Sequence, residues 1–141
     1  MHICATNAHV PEAERSIRTV KERDRATVAG LPFKHYPRIL KIAIVRESAR
    51  YLNIIPHADG VSEVFSPFTL IDGHHTDYAT QCCLAVGTYC EVHDEPSPSN
   101  TETVRTTSGI ALGPTLDYDG TWEFMSLQSR SEEHTSELQS P

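Results

Sequence analysis

Apolar positions along the chain change period twice. In the first stretch, Ala13, Ile17, Val20, Val28 and Leu31 recur at helical spacing, and Asp24 interrupts the row. Pro11 suits the first turn of that helix, because the N–H it lacks would have no partner there. Glu12 and Glu14 suit the positive end of the helix dipole, and Gly30 with Pro32 ends the segment. Pro37 opens a second helix, RILKIAIVRESARYLNII. There Ile42, Val45, Ala49 and Leu52 stand at i, i+3, i+7 and i+10, which predicts a core-facing stripe with Arg38 and Lys41 off it. Pro56 and Gly60 close it. Ser66 followed by Pro67 reads as an N-cap with proline at the first helical position, and Gly73 as a stop, so a short third helix is expected over Pro67 to Asp72.

Beyond Gly73 the period shortens. Val86, Thr88, Cys90 and Val92 alternate with Gly87, Tyr89, Glu91 and His93, as in a strand. DEPSPSNTET, from Asp94 to Thr103, has the composition of a loop. Val104 to Leu112 reads as a second strand, Asp119-Gly120 as a tight turn, and Thr121 to Leu127 as a third strand. Trp122 and Phe124 would share one face of that strand, Met125 and Leu127 the other. The fold class is therefore α+β: two amphipathic helices and a short one, then a small antiparallel β-module. Residues 1–9 show no clear period, and no internal repeat is visible.

Length and composition narrow the picture. The chain has 141 residues, enough for one ordinary domain or two small ones, and 38% apolar residues allow only a modest core. No apolar run approaches the roughly 18 residues of a membrane span. The first residues lack the basic start and apolar stretch of a signal peptide. Cys4, Cys82, Cys83 and Cys90 show no disulfide-scaffold spacing and read as reduced thiols of an intracellular protein. The net charge of -7 is unevenly spread. Residues 1–53 carry ten Lys and Arg against five acids, whereas residues 54–129 carry one Arg against eleven acids. The basic stretch is a candidate polyanion surface, since Lys and Arg displace counterions from phosphates. The five acids within it fit equally well a solvated helix of mixed charge.

The end of the chain stands apart. Arg130 to Ser140, RSEEHTSELQS, matches the in-frame translation of a common sequencing-adapter oligonucleotide. Only Leu138 in it is large and apolar, so it has little to bury. Residues 130–141 are expected to be an adapter-derived, disordered tail without biological function.

VPEAERSIRTVKER, from Val10 to Arg23, resembles the stretch around the last catalytic carboxylate of copia-type retrotransposon integrases. In that family a Glu-Arg pair is followed by Arg-Thr and a continuing basic helix, as Glu14-Arg15 and Arg18-Thr19 are here. NIIPHADGVSEVFSPFTLIDG (Asn53 to Gly73) is similar to the family's helix end and its Ser/Thr-Pro helix. AVGTYCEVH (Ala85 to His93) is similar to its Phe-Gly strand. RTTSGIALGPT (Arg105 to Thr115) and WEFMSL (Trp122 to Leu127) are similar to the β-rich segment after the integrase core. The likeness keeps family order from about residue 9 to 127.

The resemblance implies that the chain is a piece of a Pol polyprotein. Residues 1–75 would be the C-terminal helical part of a ribonuclease-H-like integrase core, and 76–129 a small β-rich module after it. The family inserts element DNA into target DNA by metal-dependent phosphoryl transfer in the nucleus. Two aspartates and a glutamate hold the Mg²⁺ or Mn²⁺ ions, which activate the attacking oxygen and stabilise the leaving one. Glu14 would be the third carboxylate and a metal ligand in a complete parent. Arg15, Arg18, Lys21 and Arg25 would contact nucleic acid. Glu14, Arg18, Lys21 and Arg25 recur at i, i+4, i+7 and i+11, so one helix face would carry all four. The missing N-terminal part of the core would be an obligatory partner. No Asp precedes Glu14, Pro11-Glu12 stands where the family has Asn-Gly, and Asp24 replaces a small apolar residue. One carboxylate cannot build a two-metal site, so the isolated chain is expected to be inactive and to hold no cofactor.

Two further readings come from the residues themselves. The basic first helix would serve equally a non-enzymatic nucleic-acid or protein contact module. His74-His75, Cys82-Cys83 and Cys90-x-x-His93 would allow a small zinc domain, although their spacing fits no ordinary pair of knuckles. Cys90 holds an apolar position of its strand, where a buried neutral thiol is the plainer expectation.

Overall fold

The computed structural model describes residues 11–58, 60–93, 100, 102, 104–115 and 120–127. Over these residues the protein is α+β. Helices α1 (Pro11–Gly30), α2 (Arg38–Ile54), α3 (Pro67–Asp72) and α4 (Tyr78–Gln81) precede strands β1 (Tyr89–His93), β2 (Thr106–Pro114) and β3 (Trp122–Ser126). The strands form one antiparallel sheet in the order β1-β2-β3. The adapter-like tail, most of the Asp94 to Thr103 loop and Asp119 of the expected turn lie outside the described residues.

Local chemistry explains the ends of the short helices. Ser66 Oγ accepts a hydrogen bond from the Thr69 amide at 3.1 Å, which caps α3. Gly73, at φ 79°, turns into the left-handed region and returns its N–H to the Thr69 carbonyl. Helix α4 was not expected from the sequence. Its cap is Asp77, whose carboxylate accepts from the Ala79 amide at 3.1 Å and from Thr80 Oγ1 at 2.6 Å. At four residues, α4 is too short to show an apolar period.

The strands fall close to their expected places. β1 alternates as read, with Cys90 and Val92 half-buried and Tyr89, Glu91 and His93 exposed. It starts at Tyr89 rather than Val86, because Gly87 at φ 86° breaks the extended backbone. β2 sits two residues later than expected. A bulge at Leu112 separates the Ala111–Phe124 pair from the Gly113–Glu123 pair, and it lets β2 run on to Pro114.

The core lies between α2 and the sheet. Leu40, Ala43 and Ile44 of α2 meet Val86 and Leu112, and Leu31, Tyr36, Ile110 and Met125 pack around them. Leu40 and Ile44 are fully buried, each contributing about 1.5–3 kcal/mol relative to exposure. The buried Trp122 closes the far end, with its indole N–H donating to the Thr80 carbonyl at 3.1 Å.

The stripe expected on α2 is corrected by the structure. Ile42 is 51% and Val45 43% exposed, and the buried face runs instead through Leu40, Ala43, Ile44, Glu47, Ser48, Arg50 and Ile54. Two charged residues stand in that face, and a reading that sends charge outward turns the helix the wrong way. Glu47 and Arg50 are tolerated inside because they neutralise each other. Arg50 Nε and Nη2 donate to the two Glu47 carboxylate oxygens, both at 2.7 Å.

The stripe on α1 holds only in part. Ala13 and Ile17 are exposed, whereas Val20, Asp24, Thr27, Val28 and Leu31 form the half-buried side. Asp24 thus lies on the inner face, where its Oδ1 is enclosed without a hydrogen-bond partner. The first two turns of α1 are exposed, and the helix packs against α2.

Candidate functional site

Glu14, Arg15, Arg18, Lys21 and Arg25 all lie on α1 and are all exposed. Four of them come together: Glu14, Arg18, Lys21 and Arg25 line one shallow depression with Ile17 and Glu22. Arg15 does not line it. Ser16 and Thr19 turn back on the helix, their hydroxyls donating to the carbonyls of Glu12 and Arg15 at 3.0 Å each. At about 100° per residue, the row stands roughly a third of a turn from the half-buried side. It therefore faces solvent along its length. Glu22 inside the depression dilutes its positive charge, a feature that spacing alone did not bring out.

The Cys and His residues do not converge. Cys90 points to the half-buried side of β1 and His93 to the exposed side, so this pair cannot share an ion. Cys82 follows α4 as its C-cap, and Cys82, Cys83 and Cys90 are free thiols. Among the described residues, no three His, Cys, Asp or Glu side chains are placed to hold a metal ion. Burial, with help from the Glu91 charge, pushes the Cys90 thiol up, and its Sγ donates weakly to the Gly109 carbonyl at 3.6 Å. His74 Nδ1 lies 3.1 Å from the Asp72 carboxylate, and His75 packs against the Phe65 ring.

A second site stands against α2. A cleft of about 860 Å³ opens between α2, the stretch from Phe68 to Gln81, and the end of the sheet at Leu112, Gly113, Pro114 and Glu123. Its α2 wall carries Arg46, Glu47 and Arg50. Arg46 Nη2 donates to Glu123 at 2.6 Å across the mouth, with the two side chains 54% and 35% exposed. The Glu47–Arg50 pair is far deeper, at 7% and 8%. Gly113, at φ 136°, lies against the Glu47 carboxylate, and a Cβ there would stand 3.7 Å from Glu47 Oε2.

Electrostatics in this wall are coupled. Desolvation works to lower the Arg50 pKa, but the hydrogen bonds and charge of Glu47 outweigh it and raise it overall. The sulfur of Cys82 also acts on the guanidinium, yet no hydrogen bond of acceptable geometry reaches Arg50 Nη1. Burial and the neighbouring Glu47 charge push the Tyr51 phenol up to about 12. The Arg50 guanidinium lies 4.8 Å from the centre of the Tyr51 ring. Thr76 Oγ1, in the opposite wall, is likewise enclosed without a partner. A pair three residues apart and polar in both members was the signal available in the sequence. Only its burial makes it unusual.

No protein-family model, no curated protein and no solved structure matches this chain. No described helix is long and apolar enough to cross a membrane.

Proposed function

We propose that this chain is part of the integrase region of a copia-type retrotransposon polyprotein, with α1 as its DNA-facing element. The observation that carries the reading is the shared solvent-facing depression of Glu14, Arg18, Lys21 and Arg25 on one continuous helix. A carboxylate at the head of a basic row suits a metal-dependent reaction on a phosphodiester. The carboxylate would hold Mg²⁺ or Mn²⁺ with aspartates supplied by the rest of the core, and the cations would hold the DNA backbone. The outward side of α2 supports the same reading. Ile42 and Val45 give that helix a second apolar side, and a helix apolar on two sides calls for cover on both. The sheet covers one side; the remainder of a ribonuclease-H-like core would cover the other.

The same row also supports a second reading, a nucleic-acid contact module without catalysis. Both require α1 to bind DNA. The test is binding of the full chain to a short DNA duplex at low salt, beside the triple variant R18Q/K21Q/R25Q. Loss of most of the affinity in the variant, with its circular dichroism unchanged, is expected. Equal binding by the two proteins would remove the basis for either reading. Joining the chain to a segment bearing the two missing aspartates then separates them, because only the integrase reading gains Mg²⁺-dependent strand transfer.

A further inference from the structure

The stretch between α2 and α3, together with α3, carries an apolar face that the fold leaves open. Val61 is 98%, Ile71 89%, Leu70 49% and Phe65 43% exposed. These four side chains line one hollow of about 300 Å³. Its loop is held by short hydrogen bonds. Ser62 Oγ accepts from the Val64 and Phe65 amides at 3.2 and 3.0 Å, and the Gly60 amide donates to the His57 carbonyl at 3.0 Å. Phe65 is backed by the His75 ring, 5.7 Å away between centres. Contiguous exposed apolar side chains of this kind mark an interaction surface. The surroundings are acidic. Glu63 lies in the loop and Asp72 follows Ile71, both exposed. No Lys or Arg occurs between Arg50 and Arg105, a stretch that holds eight acids. The complementary partner is therefore an apolar side chain set among cations.

Helix α1 of the chain itself answers that description. Ile17 is 54% exposed and shares its depression with Arg18, Lys21 and Arg25. From Arg15 to Arg25 the helix carries five Lys and Arg against two acids. Phosphate contacts would leave Ile17 in water, so a DNA-facing row does not account for it. We propose that α1 of one copy docks on the α3 hollow of a second copy. Ile17 would enter among Val61, Phe65, Leu70 and Ile71, with Arg18 and Lys21 directed to Glu63 and Asp72. Such a contact is a helix laid into an apolar groove, steered by opposite charge. The two surfaces differ, so the contact is heterologous and every copy offers both halves. The inference does not rest on α1 binding DNA, and its test contains none.

The test is sedimentation equilibrium of the full chain over a range of concentrations. Reversible association beyond the monomer is expected at low salt, weakening in high salt. Ile17→Ser and the double variant V61S/I71S should each weaken association about tenfold or more by removing apolar burial. R18E/K21E/R25E, which acts on charge alone, should weaken it as well. All these positions are exposed, and circular dichroism checks that each variant keeps its fold. The sharpest arm mixes Ile17→Ser with V61S/I71S. Each keeps the half that the other lacks, so the two should associate with each other more tightly than either does with itself. A parent protein that stays monomeric would leave the hollow to a different partner and overturn the proposal. Undiminished association of either variant, or a mixture no tighter than its components, would mean that other surfaces meet and would overturn it too.

Discussion

Arg50 holds the Glu47 carboxylate through two parallel 2.7 Å hydrogen bonds one turn along α2, with both side chains more than nine-tenths buried. Taking two charges out of water is costly, and their mutual attraction recovers that cost only while both are present. Glu47→Ala or Arg50→Ala alone is therefore expected to destabilise the protein by about 3–5 kcal/mol. The double variant Glu47→Leu/Arg50→Met, which replaces the pair with apolar groups, is expected to lose much less. Urea unfolding followed by circular dichroism measures all of these; a double variant as unstable as the singles would contradict the burial of the pair.

The other ion pair of the cleft should behave oppositely. Arg46 and Glu123 meet at 2.6 Å but remain open to solvent. A double-mutant cycle to alanine is expected to return a coupling of about 0.2–1 kcal/mol, shrinking in high salt. A coupling that survives high salt undiminished would place the pair in a drier setting than its exposure indicates.

Backbone geometry at two glycines separates strain from tolerance. Gly113 sits at φ 136° beside the bulge, where a side chain is strained. Gly113→Ala is expected to cost about 1–3 kcal/mol. Gly30 ends α1 with open space where a Cβ would stand and without a positive φ, so Gly30→Ala should be neutral or stabilise by up to about 1 kcal/mol. Thermal unfolding should place Gly113→Ala below the parent protein and Gly30→Ala at or above it.

Tyr51 gives a pH signature. Its phenol is pushed from 10.0 up to about 12 in the folded protein, first by burial and then by the Glu47 charge. The folded state holds this proton more tightly than the unfolded state does. The contribution is therefore full below pH 10, and it is lost as pH rises from there through about 12. Tyr51→Phe should flatten the fall in stability across that window, and ultraviolet titration of the phenols should find one late component that the variant lacks. A parent and variant with parallel alkaline profiles would contradict the raised value.

The extent to which this structure was legible in the sequence varied by element. α1, α2 and α3 were bounded by their prolines, glycines and Ser66, which act locally and so can be read locally. Strand alternation around Cys90 and Val92 was equally plain. The rotation of α2 was not, because its apolar residues occupy two sides and a distant sheet decides which is buried. Charge at Glu47 and Arg50 pointed to the wrong side, since their spacing shows that the two could pair but not that the pair would be buried. The α1 row was legible because helical period alone sets it, whereas the cleft depends on β2, α2 and the stretch around Thr76 meeting.

On the proposed integrase reading, Glu14 would be one of three metal-holding carboxylates and would act only with two aspartates supplied by the rest of the core. The full chain alone is accordingly expected to show no Mg²⁺- or Mn²⁺-dependent strand transfer on a labelled oligonucleotide. Product formed in proportion to this protein, and abolished in Glu14→Gln, would contradict that division of the active site.

The DNA-facing role proposed for α1 is tested most directly by the salt dependence of DNA binding. The logarithm of the binding constant should fall linearly with the logarithm of salt concentration, and the slope should lose roughly 0.9 for each phosphate contact removed on replacing Arg18, Lys21 and Arg25 in turn. Arg15→Gln, outside the shared depression, should change the slope least. A slope that none of the three replacements alters, or no DNA binding at low salt, would contradict the DNA-facing role of this helix.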